Sequence, residues 1–269
     1  MSRLGNLDLT VENFRLAIFF GSFLLIAFIE YIKPFKSFKA TRKQRWPSNI
    51  LLTVLNTLLL RLIMPITAVG FCVYVGNQGW GLFNLLGMNW LVTLIGSVLL
   101  LDMIIYFQHR IFHRVPLLWR LHKVHHADIG FDITTGARFH PIEIFLSMGI
   151  KFLSILLIGV SPEAILVFEI LLSTSSNFNH GNFKFPDKVD RFIRFFIVTP
   201  DMHRIHHSTV VSETDSNFSF SLSVWDRLFG TYKDQAIKSQ IDIEIGLEEY
   251  QSGNKAYSLF ELLKMPFSK

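Results

Sequence analysis

The amino-acid sequence predicts an all-α protein, a polytopic transmembrane helical bundle that carries a histidine-rich helical cap on its cytoplasmic face. Three observations predict it. Half of the 269 residues are hydrophobic and the mean hydropathy is +0.37, above what a water-soluble domain of this size normally shows. Apolar runs long enough to cross a hydrocarbon core of about 30 Å recur along the chain. All ten histidines fall beside the ends of those runs that share one membrane face. The net charge of +5 on so apolar a chain orients it in a bilayer more readily than it binds nucleic acid, for which no motif is visible, so no nucleic-acid partner is expected. Cys72 is the only cysteine, which excludes an internal disulfide and leaves histidine and carboxylate as ligands for any metal.

Leu16 to Ile32 is the first apolar run. It lacks a basic flank followed by a small-residue cleavage site and is expected to be a retained helix. Ile50 to Val75 is the second, interrupted by Arg61 and by Pro65, which should kink it. Trp90 to Phe107 is the third and Ile142 to Val160 the fourth. The fifth, Pro162 to Asn179, opens with Ser161 as cap, Pro162 in the first turn and Glu163 favourable to the helix dipole. No internal repeat or low-complexity tract is present.

Charge asymmetry sets the topology. "KPFKSFKATRKQR", between the first two runs, carries six basic residues and no acidic one, whereas "GNQGWGLFNLLGMN", between the second and third, carries no charge. The positive-inside rule puts the first loop in the cytoplasm. The fourth and fifth runs then form a hairpin through "GVSPE", which lacks Lys and Arg, so that the hairpin starts and ends on the cytoplasmic side. Two intramembrane charges of this hairpin, Lys151 and Glu169, lie at similar depth and are expected to pair. Asp102 in the third run is expected to face a cavity or Arg61. After the hairpin, "FPDKVDRFIRFFIV" reads as an amphipathic helix in the headgroup layer.

Spacing organises the histidines. His109 and His113 are i and i+4 on a helix continuing the third run, so they point the same way. In "HKVHH", His122, His125 and His126 fall at i, i+3 and i+4, and are expected on one helical face. "HRIHH" repeats the pattern at His203, His206 and His207, after a helix start with Thr199 as cap and Pro200 in the first turn. Taken singly, such a box beside Arg and Lys reads equally as a basic interfacial patch. Eight imidazoles in three boxes on one face exceed the four to six ligands of a single ion and suit a dimetal site in the cap. No HExxH is present, since Arg110 follows His109 and Lys123 follows His122, which disfavours a zinc protease helix. Imidazole alone does not choose among Fe, Zn, Cu and Ni.

These boxes, in this order, resemble the fatty acid hydroxylase and sterol desaturase superfamily of integral-membrane diiron enzymes. "RFHPIE" and "NHGN" between the second and third boxes, and "DSNFSFSLSVWDRLFGTY" after the third, add to the likeness, which covers roughly residues 95 to 235. The resemblance implies two Fe ions, O2 as co-substrate, and hydroxylation or desaturation of a lipid C–H bond (sterol, fatty acyl or related). It also implies an external electron donor, cytochrome b5-like, ferredoxin-like or a reductase, because no fused haem, flavin or cysteine-ligated cluster domain is visible. The eight box histidines would be ligands and His180 a ninth. His140 fits the family's "HP" element, either as a ligand or as a cap or supporting group beside Pro141. Asp215 and Asn217 resemble residues that buttress ligating histidines by hydrogen bonding. "NFSF" departs from the family in lacking a glycine after the aromatic, which puts the local loop shape in question.

The expected organisation is therefore N-terminal membrane helices and a basic loop over residues 1–90, a catalytic domain with the histidine boxes over 91–235, and a C-terminal polar tail over 236–269. The tail's closing "LFELLKMPF" is expected to dock on the domain or the membrane. A zinc-dependent membrane hydrolase and a non-enzymatic metal transporter are the alternatives. The transporter would string its ligands along a path through the bilayer.

Overall fold

The computed structural model describes residues 2–268, with side chains from residue 13 onward. Among these residues it is helical, and its only strand-like pairing is two isolated bridges. Four helical stretches are long and apolar enough to cross a membrane, within Asn13–Ile32, Arg42–Leu85, Trp90–Arg114 and Pro141–Ile158.

Helix α1 (Ser2–Ile32) packs on α8 (Pro162–Asn179) and turns Phe20, Leu24 and Phe28 outward, the exposure expected of a lipid-facing surface. The second apolar run is broken rather than kinked. It forms α2 (Arg42–Ile63) and α3 (Ala68–Asn77), with Met64 to Thr67 between them. Pro65 has no N–H to continue the ladder, and the Thr67 side chain restarts it by accepting from the Gly70 N–H at 3.0 Å. Short α4 (Leu82–Leu85) leads to α5 (Trp90–Arg114), which Asn89 caps through the Val92 N–H at 3.0 Å.

The two turns that lack Lys and Arg lie together, as the charge pattern requires. Gly81, at φ +91°, sits so close to Gly159 that a Cβ there would lie 2.2 Å from the Gly159 nitrogen. Gly159 is itself the left-handed end of α7 (Pro141–Ile158). Ser161 caps α8 by accepting from Ala164 N–H at 3.2 Å. From this turn the hairpin helices diverge, because α3 packs on both of them. Cys72 and Val75 of α3 join Leu101, Ile155, Ile165 and Phe168 in a buried apolar core. Helix α8 is not among the stretches apolar enough to span by composition; it carries Glu163, Glu169 and a Ser-Thr-Ser-Ser run. The expected pair is present, with Lys151 Nζ 2.7 Å from Glu169 Oε1, and Arg15 also bonds that carboxylate.

The cap is built from α6 (Pro116–His126), α9 (Asp187–Ile193), α10 (Pro200–His206), α11 (Val211–Thr214) and α12 (Val224–Leu228), joined by irregular chain. The amphipathic segment after the hairpin is only the short α9, and Phe192, Phe195 and Phe196 remain exposed. Arg45, in the basic loop's last position, is not a surface charge. It is buried, 2.6 Å from Asp128 and 2.9 Å from Asp132, and Gly130 leaves the space its guanidinium fills. Arg138, equally buried, donates to Val124 O at 2.7 Å and to Asn49 Oδ1 at 3.1 Å. Burial by itself would raise the Asp128 carboxyl, but Arg45 and Arg138 hold it well below the usual carboxylate range. The network ties the start of α2 to the loop after α6. The C-terminal segment docks on the cap: Leu262 and Met265, in and after α13 (Leu259–Lys264), join Leu52 of α2 and Val124 of α6 in one core.

Candidate metal centre

Each box is carried by a helix end. His109 and His113 close α5, His122, His125 and His126 close α6, His180 follows the last residue of α8, and His203, His206 and His207 end α10. Thr199 caps α10 as the sequence predicts, accepting from Met202 N–H at 3.3 Å. The structure gathers nine histidines into two groups. His109, His113, His122, His126 and His206 form one; His125, His180, His203 and His207 form the other; within each, one nitrogen per ring lies within 4.8 Å of all the others.

The HxxHH spacing therefore does something other than put three rings on one face. In α6 the i and i+4 members, His122 and His126, enter the first group and His125 the second. In α10 the i and i+4 members, His203 and His207, enter the second group and His206 the first. Adjacent residues on a helix point about 100° apart, so each box serves both groups. The two groups touch, with the His126 and His207 ring centroids 4.5 Å apart.

Ring orientation is imposed from outside the groups. His109 Nδ1 donates to Phe218 O at 2.8 Å, His206 Nδ1 to Ser216 O at 2.7 Å, and His180 Nδ1 to Ser176 O at 2.9 Å. A carbonyl only accepts, so each Nδ1 carries the proton and each Nε2 presents a lone pair. His122 Nδ1 is 2.6 Å from Glu143 Oε1, the carboxylate–histidine arrangement that fixes a ligand's tautomer. Glu143 and the carbonyls of Ser216 and Phe218 were not singled out by sequence reasoning. "HPIE" held the signal for Glu143, a carboxylate three residues from His140 at the start of a largely apolar helix; the carbonyls leave none.

A cation fits this donor set. Buried Nε2 atoms of His109, His122 and His206 have no hydrogen-bond partner among the described residues. His180 Nε2 faces His203 Nε2 at 3.1 Å and His125 Nε2 at 3.3 Å, and His113 Nε2 faces His126 Nε2 at 3.1 Å. Nitrogens bound at about 2.1 Å to one tetrahedral or octahedral ion stand roughly 3.0–3.4 Å apart. Burial, reinforced by neighbouring imidazoles, pushes His125, His126, His203 and His207 well below the ordinary histidine range. Burial also takes His180 down to about 4 and His206 to about 3. Neutral rings are the form a metal requires.

The remaining expected residues act differently. His140 is not in either group: its Nδ1 caps α7 by accepting from Ile142 N–H at 3.2 Å, and its Nε2 is 3.2 Å from Leu263 O. Asp215 Oδ1 stands 3.7 Å from His113 Nδ1 and Oδ2 3.8 Å from Arg114, an ionic neighbour beyond hydrogen-bond length. Asn217 makes no hydrogen bond to an imidazole among the described residues. At φ +52° it donates to Met202 O and Lys233 O, both at 3.0 Å, and accepts from Lys233 N–H at 2.8 Å. It thereby holds the two carbonyls on either side of it against His206 and His109. Asp226 supports the same loop, accepting from Phe218 N–H at 2.8 Å and Ser219 N–H at 2.9 Å. Ser219, where a glycine was expected, is not at positive φ, so its side chain is accommodated without strain. Asp102 neither lines the cavity beside the centre nor pairs with Arg61; it accepts from Trp225 Nε1 at 2.8 Å and Leu222 N–H at 3.1 Å, tying α5 to this C-terminal stretch.

Comparison with known proteins agrees with the geometry. Residues 93–231, just over half of the chain, match the fatty acid hydroxylase family. The chain belongs to that family. It is 28% identical over 165 residues to the ornithine lipid hydroxylase of Rhizobium tropici, covering 61% of this chain and 47% of the relative. Against the alkylglycerol monooxygenase of Xenopus tropicalis it is 28% identical over 149 residues, 54% of this chain and 30% of the relative. Human cholesterol 25-hydroxylase is 26% identical over 149 residues, 53% and 52% of the two lengths. The matches thus span about half or less of these relatives. No solved structure matches the chain significantly.

A cavity of about 440 Å³ adjoins the centre, with His109, His122, His125, His203 and Glu143 lining one end. It extends between α1, α2, α5, α7 and α8, past Phe19, Leu60, Ile105 and Met148.

Proposed function

We propose that this protein is an O2-dependent hydroxylase of a membrane lipid, with the nine clustered histidines holding two iron ions. The observation that carries the reading is the junction of the two groups of buried imidazoles with a largely apolar cavity inside the membrane-spanning bundle. A lipid can enter such a cavity sideways from the bilayer, and its walls exclude water from the reacting carbon. Iron, when bound, supplies the oxygen activation, and the chain supplies position and tautomer. His109, His122, His180 and His206 keep Nδ1 protonated on carbonyl or carboxylate acceptors, so that Nε2 faces the metal. Hydroxylation inserts one oxygen atom into C–H and reduces the other to water, which consumes two electrons and two protons. A separate electron donor delivers them. The basic loop of residues 33–45 favours the cytoplasm as the side on which that donor meets the cap.

Hydroxylation is preferred to desaturation because the three relatives are named as hydroxylases or monooxygenases. Metal analysis with Mössbauer spectroscopy on detergent-purified protein, together with lipid profiling of a deletion strain under O2, tests the proposal. Two irons per chain and loss of a hydroxylated lipid are expected. A mononuclear zinc site would overturn it in favour of a hydrolase.

A further inference from the structure

The far end of the cavity is charged. Arg15 of α1, Lys151 of α7 and Glu169 of α8 all line it. Glu169 receives both cations, Lys151 at 2.7 Å on Oε1 and Arg15 on Oε2. Among the described residues, two cations share one carboxylate here, which leaves one positive charge more than the carboxylate balances. Glu169 and Lys151 side chains are 8% and 15% exposed, while Arg15 keeps 34%. Each cation has more N–H donors than one carboxylate can use. Pairing within a membrane would be satisfied by one cation per carboxylate; the surplus charge on a cavity wall marks a functional site.

We propose that the Arg15–Lys151–Glu169 cluster is the subsite for an anionic end group, a carboxylate or phosphate, of the lipid whose hydrocarbon part reaches the histidine groups. The assignment rests on the lipid-oxidising reading above. It fixes which carbon is presented. Eight residues of α7 separate Lys151 from Glu143, which orients His122, and seven of α8 separate Glu169 from Ser176, which orients His180. At about 1.5 Å per helical residue these are roughly 12 and 10 Å. With carbon–carbon bonds of about 1.5 Å in a zigzag, that length holds roughly eight to ten carbons of an extended chain. The oxidised carbon therefore lies within this distance of the anionic group, and not next to it.

Equilibrium binding of radiolabelled dodecanoate to the detergent-purified full chain, with the metal it carries on isolation, tests the subsite, with dodecyl phosphate and dodecanol as competitors. Either or both anions are expected to bind at least about tenfold more tightly than dodecanol, the size of one charge-assisted hydrogen bond. The preferred anion tells a carboxylate from a phosphate source. K151M is expected to weaken anion binding about tenfold and leave dodecanol unchanged, whereas E169Q, which removes the competing carboxylate, is expected to tighten it. Misfolding does not produce opposite signs. Dodecanol binding as tightly as both anions, or E169Q weakening them like K151M, would overturn the inference. Iron content of the same preparations separates the two proposals, since anion selectivity without iron counts against the oxygenase and iron without selectivity counts against the subsite.

Discussion

The two histidine groups have nearly the same donors but are not held alike. In the five-membered group, His109, His122 and His206 are each oriented by an acceptor outside the cluster, at 2.6–2.8 Å. In the four-membered group only His180 has such an anchor; the Nδ1 atoms of His125, His203 and His207 are buried with no partner among the described residues. The difference teaches that the five-membered site is organised by the fold before any ion arrives. If the groups hold ions as proposed, the four-membered one would need its ion to align the rings, because an imidazole without an outer partner keeps both its tautomers.

The sharpest way to break this comparison is to remove one ligand from each group. H203A and H206A are both expected to lower product formation below about 1% of wild type, since a pair of metals acts as a unit. H203A is expected to retain about one ion per chain, held by the better organised site, as measured by elemental analysis. Equal loss of both ions from H203A would show that the groups are not independent.

E143Q comes next. It keeps the shape but weakens the partner of His122 Nδ1, and a change of this kind typically costs about 10–100-fold in metal affinity or activity. A chelator titration followed by the metal's own absorbance is expected to show two phases in wild type, with the four-membered group emptied first. In E143Q the two phases should draw together.

The loop that supplies the outer acceptors is tested by Asn217. N217A removes three backbone-directed hydrogen bonds and puts alanine at φ +52°, with an expected loss of about 2–4 kcal/mol in thermal unfolding. N217G relieves the strain and should recover roughly 1 kcal/mol of that loss. Full recovery would mean that the side-chain bonds contribute nothing.

Proton linkage affects the metal-free protein in a stated direction. His180 and His206 are held at about 4 and about 3, below an unfolded value near 6.5. As pH falls through 6.5 the unfolded chain gains protons that the folded one refuses, so stability falls until the folded values are reached. Between pH 7 and 5 each such ring accounts for about 2 kcal/mol. The melting temperature of the metal-free protein should drop over this interval, and metal loading should raise the whole profile without removing the drop, because the folded rings are unprotonated either way. A flat profile would show that these rings are not buried neutral. The smallest effect is expected for D215N. Its carboxylate is about a third exposed (32%) and 3.7 Å from His113, and stability should change by less than about 1 kcal/mol.

Much of this architecture was legible in the sequence because it rests on local rules. Hydropathy and the Ser161 and Thr199 caps follow from how a segment meets lipid, water or its own helix end. The nine clustered histidines were legible too, since their helical spacings announce themselves. Sequence spacing did not reveal that HxxHH divides its members between two groups. That division depends on where α5, α6 and α10 meet, and a helix presents adjacent residues to whatever partners the packing supplies. Pro65 shows the same limit: a proline disfavours helix continuation, but only the packing of α3 between the hairpin helices turns a kink into a break. The carbonyls of Ser216 and Phe218 carry no side-chain signature at all. Asn217 looked like a direct partner of the histidines and instead acts through its backbone neighbours, because a left-handed residue turns the carbonyls on either side of it toward the cap. Donor type and membrane-spanning character were thus set by residue chemistry. The sorting of ligands, their tautomers and the charged end of the cavity were decided only where distant helices converge in three dimensions.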